Sequence, residues 1–197
     1  VLTEQQYIAL DHSALEPRIL LHGTAGTGKT LIAFEQARRV AVNERVLFIC
    51  FNSNLAEVLN SKCSDLQESN ITVLNYHQLV TRLLRDAEIA FDISTGWQNF
   101  NSQALELVCQ ALERLIDFQS YDYLVVDEAQ DLLTEEFFDV LDLLLLDGIV
   151  GGRWCLCVDP EQMIYNSQFD EVTYSKLVNQ GRTISLTVNC RNTKPIA

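Results

Sequence analysis

A chain of 197 residues is long enough for one large α/β domain, or for one domain and the beginning of a second. Its 48% apolar and 21% charged content suits a soluble globular fold. No apolar run approaches a membrane span, the longest candidate, Val140 to Leu146, being broken by Asp142. A net charge of −13 argues against a domain that coats nucleic acid over its whole surface.

Residues 3–12 read as a helix capped by Thr3, with Ile8 and Ala9 turned inward. A strand at 18–22 runs into a glycine-rich stretch, and a helix over about 29–42 then places Leu31, Phe34, Ala37 and Val40–Ala41 on one face. Val46 to Phe51 is a continuous apolar strand of the kind covered on both faces in a parallel sheet. A helix from about Ser53 to Lys62, a strand from Ile71 to Leu74 and a helix over about 77–86 follow. The mixed residues 87–101 read as loop. Ser102 to Phe118 reads as a helix with Leu105, Val108, Cys109, Leu112 and Ile116 along one side.

Tyr123 to Val126 is a fourth strand. Thr134 caps a helix with Glu135 and Glu136 in its first turn, expected to stop at Gly148. Trp154 to Val158 and Thr183 to Val188 complete the strands. Strands alternating with helices imply parallel βαβ units with right-handed crossovers, hence an α/β fold.

Residues 86–147 hold 15 acids and a single base, Arg114, whereas the remainder is nearly neutral with 13 bases and 12 acids. Any polyanion contact is therefore expected away from 86–147. None of the six cysteines forms a C-x-x-C pair, and most sit in apolar patterns, which favours buried reduced thiols in a cytoplasmic protein. Cys155 and Cys157 would share one strand face, but with no His nearby they make no zinc site. The chain starts at Val1 without a signal-peptide pattern, and its sole methionine is Met163, so a longer parent chain is expected.

The glycine-rich stretch reads G-x-x-x-x-G-K-T. Glycines let successive backbone N–H groups turn inward around a phosphate, where a side chain would block the approach. The helix that opens there aims the positive end of its dipole at the same place. Lys29 can reach the β- and γ-phosphates, and the Thr30 hydroxyl can ligate Mg²⁺. Gly23, Thr24, Ala25, Gly26, Thr27, Gly28, Lys29 and Thr30 are thus expected to hold a nucleoside triphosphate.

Asp127-Glu128-Ala129-Gln130-Asp131 follows the fourth strand, and in open parallel sheets the active crevice lies at the carboxyl ends of strands. Beside a P-loop, Asp127 is expected to hold Mg²⁺ through water and complete the Thr30 shell. Glu128 is expected to orient and deprotonate the attacking water.

With Asp159-x-x-Gln162-x-Ile164-Tyr165 and Asn189-Cys190-Arg191 added in order, nearly the whole chain resembles the superfamily 1 DNA helicases of the UvrD/Rep/PcrA kind. The resemblance implies a P-loop NTPase with a RecA-like parallel sheet and helices on both faces. Residues 1–188 would form the ATP-binding domain, with 86–118 a short accessory insertion. Residues 189–197 would begin a second RecA-like domain, a partner within the full-length chain. Leu2-Thr3-Glu4-Gln5-Gln6 resembles the adenine-recognition segment, and the Gln6 amide could donate to adenine N7 and accept from its N6 amine. Gln162 resembles the glutamine that senses the γ-phosphate or attacking water, and Arg191 the arginine that steadies transition-state charge.

Phe51-Asn52-Ser53 and Asn75-Tyr76-His77 resemble the two segments that contact single-stranded DNA, or RNA, by ring stacking and polar groups. Taken singly, Phe51 and Tyr76 read equally well as core and His77 as a helix cap. The chain departs from the family at Ser167 and Gln168, where a stacking aromatic and an arginine are usual, and at Asn75, where threonine is usual. Those departures leave the ATP site whole and weaken the inference of processive unwinding. ATP-driven movement along nucleic acid is the leading expectation, with weak turnover by the 197 residues alone. A helicase-like switch acting on a partner protein is the alternative.

Overall fold

The apolar runs become strands buried on both faces of one parallel sheet. A computed structural model describes residues 2–91, 97–163 and 170–190. The strands are β1 (Arg18–Gly23), β2 (Val46–Cys50), β3 (Ile71–Asn75), β4 (Tyr123–Asp127), β5 (Trp154–Val158) and β6 (Arg182–Leu186). They lie in the order β3-β2-β4-β5-β1-β6, and every pairing is parallel.

Helices cover both faces: α1 (Glu4–Ser13), α2 (Lys29–Val40) and α3 (Ser53–Asp65) on one, α4 (Tyr76–Asp86), α5 (Trp97–Arg114), α6 (Glu135–Leu144) and α9 (Glu171–Gln180) on the other. The one-turn helices α7 (Gly148–Gly151) and α8 (Pro160–Met163) flank β5. Alternate strand residues feed the two cores. Leu20, Leu47, Ile49, Leu124, Val126, Trp154 and Leu156 face α4–α6, and Ile19, Leu21, Val46, Phe48, Val125, Cys155 and Cys157 face α1–α3. Cys155 and Cys157 thus share a strand face, and all six cysteines are free thiols, four of them buried. Among the described residues no helix is long and apolar enough to cross a membrane.

Several expected details differ. Ile8 and Leu31 are half exposed rather than inward. Helix α1 buries Gln6, Ala9, Leu10 and Ser13, a 3.6-residue stripe that leaves Ile8 opposite it. Helix α2 buries Ile32, Ala33, Phe34, Gln36 and Ala37, which turns Leu31 outward. Helix α5 starts at Trp97, inside the expected loop, and ends at Arg114, so Ile116 lies beyond it and is exposed.

Helix α6 stops at Leu144, before Gly148. A bridge between Tyr121 and Leu145 pulls the chain into extended conformation: the Tyr121 N–H donates to Leu144 O at 2.9 Å and the Leu146 N–H to Tyr121 O at 2.8 Å. Gly148 opens α7 instead. Helix α9 was not anticipated from periodicity; Asp170 caps it by accepting from the Val172 and Thr173 N–H groups at 2.9 and 3.2 Å.

Candidate functional site

Because all six strands run the same way, the segments that leave their carboxyl ends meet on one rim. The glycine-rich loop leaves β1, Asp127 ends β4, and Asp159 follows β5. Gly26 and Gly28 sit at φ 88° and 89°, in the left-handed region that favours glycine, and Gly28 opens α2. A Cβ at Gly28 would come within 2.3 Å of Gln6 Nε2. Buried Lys29 curls back over the loop, its Nζ donating to Gly23 O at 2.7 Å and to Thr24 O at 3.4 Å. The cradle is therefore pre-shaped, with its ammonium inside it.

The Thr30 hydroxyl donates to Asp127 Oδ2 at 2.9 Å, across 97 positions of sequence. Asp127 is fully buried, and its carboxyl is pushed up to about 6, first by burial and then by neighbouring Glu128; the Thr30 hydrogen bond and Lys29 oppose the rise. Glu128 holds φ 51° and ψ 48°, a left-handed conformation uncommon for a side-chain-bearing residue.

Gln130, one residue past Ala129, is fully buried and joins the acidic segment to the next strand end. Its Nε2 donates to Glu128 Oε2 at 2.8 Å and approaches Gln162 Oε1 at 3.5 Å, while its Oε1 accepts from the Asp159 N–H at 3.1 Å. Gln162 Nε2 donates to Asp159 Oδ2 at 2.9 Å. Glu128 and Gln162, 34 positions apart in sequence, thus share one network. Sequence reasoning quoted Gln130 inside a motif and gave it no role. Its only sequence signal was an uncharged polar residue between acids just after a buried strand.

A cleft of about 610 Å³ opens over the loop, lined among others by Thr3, Gln6, Lys29, Thr30, Glu128 and Cys190. Gln6 is buried in its wall: its Oε1 accepts from the Thr3 N–H at 2.9 Å, and its Nε2 donates to Thr27 O at 2.9 Å and to Cys190 Sγ at 3.3 Å. The segment after β6 straps over the loop, Asn189 Nδ2 donating to Ala25 O at 3.2 Å and the Cys190 N–H to Gly26 O at 2.8 Å. The loop, Gln6, Thr30, Asp127, Glu128 and Gln162 are thus brought to one rim. Arg191 lies outside the described residues, as do Ile164, Tyr165, Ser167 and Gln168.

On the same rim, beyond β2 and β3, Phe51 is exposed, and Asn52 caps α3 by accepting from the Asn54 N–H at 2.8 Å, with Ser53 exposed beside it. Tyr76 corrects the expectation of a stacking ring. It is only 5% exposed and meets Phe137 edge-on at 5.0 Å, because α4 turns its first residue into the core, so no base can stack on it. His77 is partly buried, and burial lowers its pKa, favouring the neutral ring. Asn75, and not His77, caps α4, accepting from the Gln78 N–H at 2.8 Å. Asn75, His77 and Gln78 line a second cleft of about 500 Å³ together with Arg82 and Arg85, which the sequence reading had not singled out.

The AAA domain family matches residues 6–168 of the chain. No curated protein matches it in sequence. Among solved structures, AMPPCP-bound DnaA from Aquifex aeolicus is similar with a TM-score of 0.52 at 16% identity, covering 97% of this chain and 50% of that one. The Pif1 helicase from Candida albicans gives 0.55 at 15% identity, covering 95% and 40%. Bacteroides Pif1 bound to ssDNA gives 0.50 at 15% identity, covering 99% and 44%. The chain spans half or less of each of these three. The matched residues, the glycine loop and the parallel sheet agree: the chain belongs to the AAA domain family and has its nucleotide-binding P-loop fold.

Proposed function

We infer that this chain is the ATP-binding domain of a superfamily 1-like DNA helicase or translocase, which couples hydrolysis of Mg·ATP to movement along nucleic acid. The observation that carries the reading is the Thr30–Asp127 hydrogen bond of 2.9 Å, which joins the phosphate loop to the end of β4 beside Glu128. Thr30 and Asp127 would hold Mg²⁺. The fit is physical: Asp127 is a buried carboxylate whose charge lacks a full counterweight, and hydroxyl and carboxylate are hard oxygen donors. When bound, Mg²⁺ supplies charge neutralisation on the β- and γ-phosphate oxygens.

The protein groups divide the remaining work. Lys29 exchanges its carbonyl partners for phosphate oxygens. Glu128 accepts the proton of the attacking water, and Gln130 fixes its carboxylate by donating to Oε2. Gln162, tied to the same network, meets the γ-phosphate or the water, and Arg191 steadies transition-state charge together with donors of a second RecA-like domain. Phe51, Asn52, Ser53 and His77, with Arg82 and Arg85 nearby, supply the single-strand contacts, one exposed ring and cations being what backbone and base each require.

The test is ATPase activity of the full-length protein with and without single-stranded DNA, beside a Lys29→Ala variant. Stimulation in the wild type, abolished in the variant, is expected. Stimulation by a partner protein but never by DNA would instead establish the switch reading, and absence of turnover would refute both.

A further inference from the structure

The amino ends of β2 and β4 lie on the rim opposite the nucleotide cleft, and a third cleft, of about 480 Å³, opens there. Strands of five residues separate the two rims by roughly 16 Å. Arg45 stands just before β2 and Tyr121 shortly before β4, while the ends of α4 and α5 bring Arg82 and Arg114. Three guanidiniums thus line one cleft of a chain whose net charge is −13. Among the described residues two of them are thinly engaged. Arg114 Nη1 reaches Ala87 O only at 3.5 Å, and Arg82 Nε stands 3.7 Å from Asp86 Oδ2, beyond a hydrogen bond. Arg45 is anchored, donating to Gln119 O and lying 4.9 Å from the centre of the Tyr121 ring. Buried Leu79 and Leu83 contribute apolar surface, and Ile116 beside them is 93% exposed. Its turn is held in place, the Leu115 N–H donating to Ala111 O at 3.0 Å and the Phe118 N–H to Leu115 O at 2.9 Å.

We propose that this cleft docks an acidic peptide segment of a partner protein, one that carries apolar side chains between its carboxylates. A carboxylate matches the planar fork of a guanidinium, and Arg82 and Arg114 have donors to give it. The aliphatic surface beside them takes the apolar side chains of the same segment. A nucleic acid fits less well, because Asp86 and Asp117 stand among the arginines. Every nucleotide brings a phosphate charge to meet them, whereas a peptide can set an apolar residue opposite each aspartate. Base stacking also needs open aromatic faces, and Tyr121 is 7% exposed beneath the Arg45 guanidinium. The docking site lies on the far rim and stands independently of the nucleotide reading.

The experiment is fluorescence anisotropy of a short labelled peptide of alternating glutamate and leucine, titrated with the purified protein. Two control peptides carry lysine for glutamate or serine for leucine. The glutamate–leucine peptide is expected to bind about tenfold tighter, or more, than either control. Arg114→Glu and Ile116→Ser are each expected to weaken it by about tenfold while Mg·ATP binding is unchanged, since neither residue lines a cleft on the nucleotide rim. Arg82 also borders the cleft of Asn75 and Gln78, so it is left in place. Equal binding of the three peptides, binding of none, or indifference to both variants overturns the proposal. Single-stranded DNA that displaces the peptide and is itself released by Arg114→Glu would make the cleft a polyanion surface and overturn it too. Should either variant fail to fold, the three wild-type affinities still decide.

Discussion

Glu128→Gln is expected to lower turnover by about 10²–10⁴-fold while ATP binding changes by less than about threefold. The substitution keeps an oxygen to accept from Gln130 Nε2, which now lies 2.8 Å from Glu128 Oε2, so the network and the backbone turn at φ 51° persist. What disappears is the group able to take a proton from water. Single-turnover hydrolysis and equilibrium binding on the same preparation separate the two effects. A loss of less than tenfold in hydrolysis would mean that another carboxylate, such as Asp131, which Gln130 Nε2 approaches at 3.5 Å, carries the proton or that no general base is needed.

Asp127→Asn is expected to raise stability and destroy function together. Burial and the neighbouring Glu128 push the Asp127 carboxyl up to about 6 from an ordinary value of 3.8. The folded protein therefore binds more protons than the unfolded chain between those values. Its stability falls as pH climbs from 3.8 through 6 and stays at the lower level above. Asparagine is neutral throughout and still accepts the Thr30 hydroxyl bond. At pH 7 and without nucleotide the variant should gain roughly 2 kcal/mol, seen as a rise of roughly 4–8 °C in the melting midpoint. The gain should shrink as pH drops below 6 and the wild-type carboxyl becomes neutral too. Mg²⁺-dependent nucleotide binding should weaken at least tenfold, and in the wild type it should fall below pH 6 as protons compete for the same oxygens. A destabilised variant, or one that binds Mg·ATP normally, would contradict the assignment.

The central strands could be read from sequence because each is a short apolar run that needs no partner to identify it. Trp154 to Val158 coincides with β5, and the strands around Val46 and Tyr123 differ from expectation by one residue at an end. The edge strand β6 is less apolar and largely exposed, and its bounds shifted. Helix faces were harder, since Ile8 and Leu31 fit an apolar stripe in isolation while the true stripe in α1 includes buried Gln6 and Ser13. Ser13 tolerates burial because its hydroxyl lies 2.7 Å from Leu10 O and 3.0 Å from Gln36 Oε1 while its carbonyl accepts from Gln36 Nε2 at 3.3 Å, a pairing across two helices that no local pattern announces.

The site divides the same way. Its glycines, Lys29, Thr30, Asp127 and Glu128 stand at spacings dictated by phosphate and cation chemistry, so the residues name themselves. Gln130 ties Glu128 to the Asp159–Gln162 segment, and Cys190 touches Gln6 and the glycine loop, contacts that only the assembled rim reveals. Tyr76 erred in the opposite sense: an aromatic at a strand end is a plausible platform until α4 is seen to rotate it against Phe137.

The sharpest check on the shared rim is a double-mutant cycle on ATP binding, with Thr30→Ala, Asp127→Asn and both together, measured by calorimetry in Mg²⁺ and again in EDTA. If Thr30 and Asp127 serve one cation, the two losses in Mg²⁺ will not add, and the double variant will bind within about threefold of the weaker single one. In EDTA that coupling will vanish. Losses that simply add in Mg²⁺, or a coupling of equal size in EDTA, would show that the two residues do not hold a common ion with the nucleotide.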